Sequence, residues 1–180
     1  MKIPPLLICI PLLLASAACQ KEDSPPPAQA PAAAAGLEVK NRLGEGMEFP
    51  RVTVADHLGN RYELRALLSK SRNILLLLDA SCPACAEEAQ KIQKFGLMNP
   101  KLNILGVSAD SLSAVLAFKK RHALSFPILF DFERKLVPDY RYVSFPTLVL
   151  VGTDKRILKL YEGEIPPSEA GPLLQMLTGN

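Results

Sequence analysis

Apolar and polar positions change rhythm along this chain in a way that marks out its elements. The sharpest change lies in residues 73–96, which read NILLLLDA, SCPAC, AEEAQKIQKFG. Ile74 to Leu78 is an unbroken apolar run between polar residues, and predicts a central strand buried on both faces. From Ala84 to Phe95 the spacing becomes helical. Cys85, Ala89 and Ile92 share one face, and Glu87 and Lys91 pair at i,i+4 on another. Upstream, Phe49–Ala55 and Arg61–Leu64 flank the turn Asp56-His57-Leu58-Gly59-Asn60 and predict a β-hairpin. Leu64 to Leu68 predicts a short helical turn. Downstream, Asn99-Pro100 breaks the helix and Leu102–Ser108 forms the next strand. Asp110-Ser111 caps a helix whose stripe is Leu112, Val115, Leu116 and Lys119, ending near His122. Phe126–Phe130 is a strand, and Glu133–Tyr140 is irregular or weakly helical. Thr147–Val151 and Arg156–Tyr161 are strands joined by the turn Gly152-Thr153-Asp154-Lys155. Ser168 opens a last helix with Ala170, Leu173, Leu174 and Leu177 on one face.

Strands alternating with helices, then a closing hairpin and helix, predict an α/β sandwich of three layers. Its β-α-β units impose parallel pairs, and the late hairpin adds an antiparallel edge. The chemistry sits where the apolar run meets the helix. Cys82-Pro83-Ala84-Cys85 in a strand–turn–helix setting reads as a redox site. With Cys82 near the N-cap, Pro83 falls at N1, where its missing N–H costs nothing. Free N–H groups and the helix dipole favour a thiolate at Cys82, the expected nucleophile. Cys85, one turn inside, is the expected resolving thiol. Half of a zinc site would need two further ligands. The other cysteines, Cys9 and Cys19, lie near the N-terminus, and His57 and His122 lack ligand spacing. A purely structural disulfide would close too small a loop to add much stability. The site is therefore read with no metal and no cofactor.

The first 36 residues differ from the rest. Residues 1–18 combine Lys2, an apolar stretch from Ile3 to Leu14 and small residues from Ala15 to Ala18, the pattern of an export signal. The apolar part is short of the roughly 20 residues that span a bilayer. Cys19 after Ser16-Ala17-Ala18 resembles a bacterial lipoprotein signal, which implies a lipid on Cys19; that pattern prefers Leu where Ser16 stands. Cleavage after Ala17 is the alternative. Residues 19–36 are rich in Pro and Ala and read as a tether or a tail without a spacing role. At about 3.1 Å per residue the stretch could reach some 50 Å. Residues 37–180 are one domain by length. The net charge of +3 arises from mixed signs without a basic block, so nucleic-acid binding has no support.

The order of elements, with C-x-x-C after the central strand, resembles the thioredoxin fold. Phe145-Pro146-Thr147 stands where that fold carries a cis-proline facing the dithiol, which implies substrate binding at Phe145 and Pro146. The N-terminal hairpin and the strand–helix insert from Leu102 to His122 resemble TlpA/ResA-type redoxins and their peroxiredoxin relatives, over nearly all of Phe49 to Leu177. VSADSLSAVLAFKKRHALSFPILFD and SFPTLVLV carry the likeness. Glu88 matches a glutamate that this group holds near the dithiol. Ser81 departs from it, standing where a tryptophan is usual, and Pro83-Ala84 is unlike the Gly-Pro of thioredoxin. The resemblance implies a monomeric thiol–disulfide oxidoreductase acting on exported cysteine-containing proteins on the periplasmic side of a bacterial envelope. It favours a reductant, serving cytochrome c maturation and fed by a membrane electron-relay reductase.

Two other functions compete. Peroxiredoxins place Pro seven, and Thr or Ser three, before the nucleophile; here those positions hold Leu75 and Asp79. A Cu(I) carrier would use both thiolates but lacks supporting His or Met near Cys85. Asp79 reads as a proton acceptor or as a residue bonding turn N–H groups. Glu88, at i,i+3 from Cys85, reads as a general base if buried or as a solvated helix residue. His57 is expected to face solvent, His122 to suit a helix C-terminus, and Tyr140 and Tyr142 to pack near Pro146 or on the surface.

Overall fold

The computed structural model describes residues 43–136 and 145–178. Seven strands form one mixed sheet in the order β2-β1-β5-β4-β3-β6-β7. They are β1 (Thr53–Ala55), β2 (Arg61–Glu63), β3 (Arg72–Leu77), β4 (Leu102–Ser108), β5 (Ile128–Phe130), β6 (Thr147–Gly152) and β7 (Ile157–Glu162). The helices are α1 (Leu64–Leu67), α2 (Pro83–Met98), α3 (Leu112–Arg121) and α4 (Pro167–Thr178).

β3 is central, as its apolar run predicts. Leu75 pairs with Leu105 of β4 in parallel and with Val149 of β6 antiparallel. Ile74, Leu76 and Leu78 enter one core and Leu75 and Leu77 the other. With both faces covered there is no solvent side, so polar residues do not alternate. β3, β4 and β5 are parallel and step one way across the sheet. Right-handed crossovers then place α2 and α3 on one face. Cys85, Ala89 and Ile92 of α2, Val115 and Phe118 of α3, and Leu173 and Leu177 of α4 all join the core of that face. The opposite layer is slighter: Leu43, Phe49, Val52, α1 and Leu136 cover Leu75, Leu105 and Val149.

Several sequence expectations need correction. The α3 stripe is rotated: Val115 and Phe118 are buried, whereas Leu112 and Leu116 are each 44% exposed. The large Phe118 ring fills the inter-layer space, and the helix turns to seat it. Ser111 alone caps α3, accepting the Ala114 N–H at 3.3 Å. α4 begins at Pro167, and Ala170 is exposed while Leu173 and Leu177 are buried. The Leu174 side chain lies outside the described residues. β1 and β5 are shorter than expected. Phe49 is fully buried yet lies outside the strand, its N–H bonded to the Lys155 carbonyl at 2.7 Å. Lys91 pairs with Glu88 at 3.4 Å, and Glu87 is exposed.

One polar knot lies inside the apolar centre. Asn73 is fully buried at the start of β3. Its Nδ2 donates to the carbonyls of Lys70 at 2.9 Å and Val151 at 3.2 Å. Its Oδ1 accepts from Asn103 Nδ2 at 3.0 Å, and Asn103 also donates to the Leu67 carbonyl at 2.7 Å. The amide thus ties α1, β3, β4 and β6 together. Asn73→Leu keeps the number of side-chain heavy atoms but removes every hydrogen bond and strands several buried partners. It should lower unfolding free energy by about 2–4 kcal/mol, measured by urea denaturation; a change within experimental error would refute the knot's role.

Candidate active site

The carboxyl ends of β3, β4 and β5 share one edge of the sheet, and antiparallel β6 begins there. Such an edge is where open α/β sheets present their ligand sites. The chain leaves β3 and enters α2 through Asp79-Ala80-Ser81-Cys82, and this turn is closely bonded. The Asp79 Oδ1 atom accepts from the Ser81 N–H at 2.7 Å and the Ser81 hydroxyl at 2.5 Å. The Cys82 N–H donates to the Asp79 carbonyl at 3.2 Å. Asp110, just past β4, accepts the Ala80 N–H on Oδ2 at 2.7 Å. The buried Ser108 hydroxyl donates to the same oxygen at 2.8 Å. Sequence reasoning assigned Asp110 only to the α3 cap. The signal available was Ser108-Ala109-Asp110 at a strand end, but nothing local shows that the carboxylate reaches across to another loop.

Cys82 is the N-cap of α2, and Pro83 stands in its first turn. The Cys85 N–H donates to Cys82 Sγ at 3.2 Å. This bond uses a helix-terminal N–H that would otherwise lack a partner, and it would strengthen if Cys82 carried charge. On the other side, Cys82 Sγ lies 3.7 Å from the Phe145 carbonyl oxygen, to which the thiol donates. The Phe145–Pro146 peptide bond is cis, as the resemblance implied. Among the described residues the two free thiols differ in exposure: Cys82 is half-buried and Cys85 fully buried. Burial pushes the Cys85 thiol well above its ordinary value. Its hydrogen bond with Cys82 and the charges of Cys82 and Asp79 act the same way, while a bond from the Asp79 main chain opposes them.

Asp79 therefore bonds turn N–H groups and also acts electrostatically on Cys85. Glu88 is almost fully buried, so it is not the solvated helix residue of the simpler reading. It borders an apolar cavity of about 290 Å³ lined by Ile74, Ile92, Leu148 and Leu173, with Lys91 at its rim. His57 is exposed, and His122 is the C-cap of α3, its ring 4.8 Å from that of Phe118. Cys19, Tyr140 and Tyr142 lie outside the described residues. Among the described residues no three His, Cys, Asp or Glu side chains cluster closely enough to hold a metal ion. None of the described helices is long and apolar enough to cross a membrane.

A family model described as AhpC/TSA matches residues 46–159. The thiol-disulfide oxidoreductase ResA of Bacillus subtilis is 25% identical over 134 residues, covering 72% of this chain and 73% of that protein. Among solved structures, a putative thioredoxin from Neisseria meningitidis aligns with a TM-score of 0.62 at 24% identity, over 76% of this chain and 93% of its own. Peroxidoxin BcpB from Mycobacterium tuberculosis aligns at 0.64 and 18% identity, over 77% of this chain and 98% of its own. At these identities the two structures show the fold alone.

The raised Cys85 value has a consequence for stability. The unfolded chain releases this proton near the ordinary value of 9.0, before the folded protein does. The unfolded state then binds fewer protons, so stability falls as pH rises. The contribution is intact below pH 9.0 and is lost progressively above it. Reduced wild-type protein should therefore lose more stability than Cys85→Ala on going from neutral pH into this alkaline range, in chemical denaturation at each pH. Parallel curves for the two proteins would show that Cys85 is not the group responsible.

Proposed function

The chain belongs to the AhpC/TSA family and is a ResA-like thiol–disulfide oxidoreductase; from that premise we propose that Cys82 and Cys85 are its redox pair, exchanging disulfides with exported proteins. The supporting observation is the asymmetry of the thiols. Cys82 is reachable and receives a helix-terminal N–H at 3.2 Å, while Cys85 is buried and held protonated.

In the reducing direction, which the resemblance favours, the Cys82 thiolate attacks one sulfur of a substrate disulfide. The substrate S–S bond breaks, a Cys82–substrate disulfide forms, and the other substrate sulfur leaves as a thiolate that takes up a proton. Cys85 then loses its proton and attacks Cys82 Sγ. A Cys82–Cys85 disulfide forms, and the second substrate thiol departs. Two electrons pass to the substrate, and the protein dithiol is oxidised. Asp79, whose charge acts on Cys85, and Glu88, buried one turn further along α2, are the two candidates to accept the Cys85 proton. Phe145 and Pro146 supply the neighbouring backbone against which an extended substrate segment would pair.

Export, a lipid on Cys19, the tether of residues 19–36, a periplasmic position, and service to cytochrome c maturation with a membrane relay as electron donor complete this reading. The sequence of residues 1–36 and the resemblance to the TlpA/ResA group support it. A fatty-acid analogue supplied to growing cells should label the wild type and not Cys19→Ala; equal labelling of both would remove the anchor from the proposal.

The roles of the two cysteines are separable. Cys85→Ser retains the attacking thiol and loses the resolving one, so it should accumulate reductant-sensitive covalent adducts with its protein partners. Cys82→Ser should accumulate few. Mass spectrometry of the adducts reads the outcome and identifies the substrates. Adducts on Cys82→Ser alone would reverse the roles. Hydrogen peroxide turnover without disulfide reduction would favour a peroxidase, and tight copper binding by the reduced protein with no trapped partner would favour a Cu(I) carrier. Asp79 stands where peroxiredoxins place a hydroxyl, which weighs against the first of these.

A further inference from the structure

We propose that the end of the domain opposite the thiols is a lipid-facing surface, on which Lys94, Leu97, Met98 and Lys101 meet an anionic phospholipid bilayer with Lys70 and Arg72 behind them. This goes beyond the function proposed above and does not require the lipid on Cys19.

Topology places these residues. β3 starts at Arg72, beside Leu102 of β4 and Gly152 of β6, and its far end leads to Cys82. α2 runs back from Cys82 to Met98, and its 16 residues cover about 24 Å. Its last turn exposes two adjacent apolar side chains, Leu97 at 75% and Met98 at 73%. Lys94 lies one turn before both of them, and Lys101 follows within three residues of Met98. A groove of about 460 Å³ opens beside them, lined by Arg72, Met98, Lys101 and Leu177.

The charge here is positive and little compensated. Lys70 Nζ donates to the carbonyls of Pro100 at 2.8 Å and Leu102 at 3.1 Å, and Arg72 Nε to that of Met176 at 2.8 Å. Main-chain carbonyls hold these cations in place without cancelling their charge. Among the described residues, the carboxylates nearby are already paired: Asp154 with Arg156 at 4.0 Å, and Glu48 with Arg65. Exposed lysines alone would suit any solvated helix end. Two neighbouring large apolar side chains ringed by cations instead match an interface of anionic headgroups over acyl chain.

A bilayer at this end leaves Cys82 facing away from the lipid, toward aqueous partners.

The protein contains no tryptophan, so a single introduced one reports on its own position. In full-length Met98→Trp, vesicles of equal parts phosphatidylglycerol and phosphatidylcholine should shift the emission to the blue. Pure phosphatidylcholine should not, and high salt should reverse the shift. Phe132→Trp, at the thiol end, should not respond. Adding Lys94→Glu and Lys101→Glu to Met98→Trp should weaken the response at least about tenfold, with insulin-disulfide reduction unchanged. No shift on anionic vesicles, an equal shift on neutral ones or at Phe132→Trp, or an undiminished response in the charge-reversed protein would each overturn the proposal. So would capture of an acidic protein on this face by a protein that ignores anionic vesicles. Because reduction is measured separately, loss of disulfide chemistry in the wild type would count against the proposed function and not against this surface.

Discussion

The hydrogen bond from the Cys85 N–H to Cys82 Sγ is the contact on which the rest of the site depends. It exists only because Cys82 is the N-cap of α2, whose first helical residue is Pro83. A helix starting one residue later would turn Cys85 out of the core, and one starting earlier would take away the free N–H. Three constraints set the start. Pro83 cannot donate and prefers the first turn. β3 is pinned on both sides by backbone ladders, so it delivers Asp79 to a set place. Asp79 and Asp110 then take up the Ser81 and Ala80 N–H groups, leaving the turn little freedom. The cost of ordering a short turn is thereby met by bonds that also aim the sulfur.

The same geometry separates two thiols only three residues apart. One sits at the rim, between an N–H donor and the Phe145 carbonyl; the other is sealed beneath the helix. Burial disfavours the thiolate at Cys85 in the resting dithiol. That suits the resolving role proposed for Cys85, which would act only once a mixed disulfide has formed beside it. A carboxylate at Asp79, rather than the hydroxyl of a peroxidatic site, reinforces this reluctance and is consistent with exchange between disulfides.

The fold also separates the two ends of the domain. Asp79, Asp110 and Asp131 follow the ends of β3, β4 and β5 at the thiol edge. Lys70, Arg72, Lys94 and Lys101 collect at the other. Parallel strands produce this polarity, because every loop after a strand opens on one edge and every loop before it on the other. Helices running back from the thiol edge carry acceptor carbonyls at the far end, and cations are favoured there.

Local sequence by itself determined the order of the elements and pointed to the candidate chemistry. Ile74–Leu78 could be read as a doubly buried strand because its apolar residues do not alternate, and Cys82-Pro83-Ala84-Cys85 as a redox turn because helix-start preferences act over a few residues. The cis bond at Pro146 was legible only through the resemblance, since nothing in an isolated Phe-Pro pair selects it. Tertiary structure decided what depends on neighbours distant in sequence. The α3 stripe turned on how Phe118 fits between layers, and the Glu88–Lys91 pair on which flank of α2 lies under α4. The second task of Asp110 required β4 to lie beside β3, which brings its carboxylate to a loop thirty residues away in sequence. Periodicity records which side of an element is apolar; it carries no record of what stands opposite, and hydrogen bonds between loops depend on that alone.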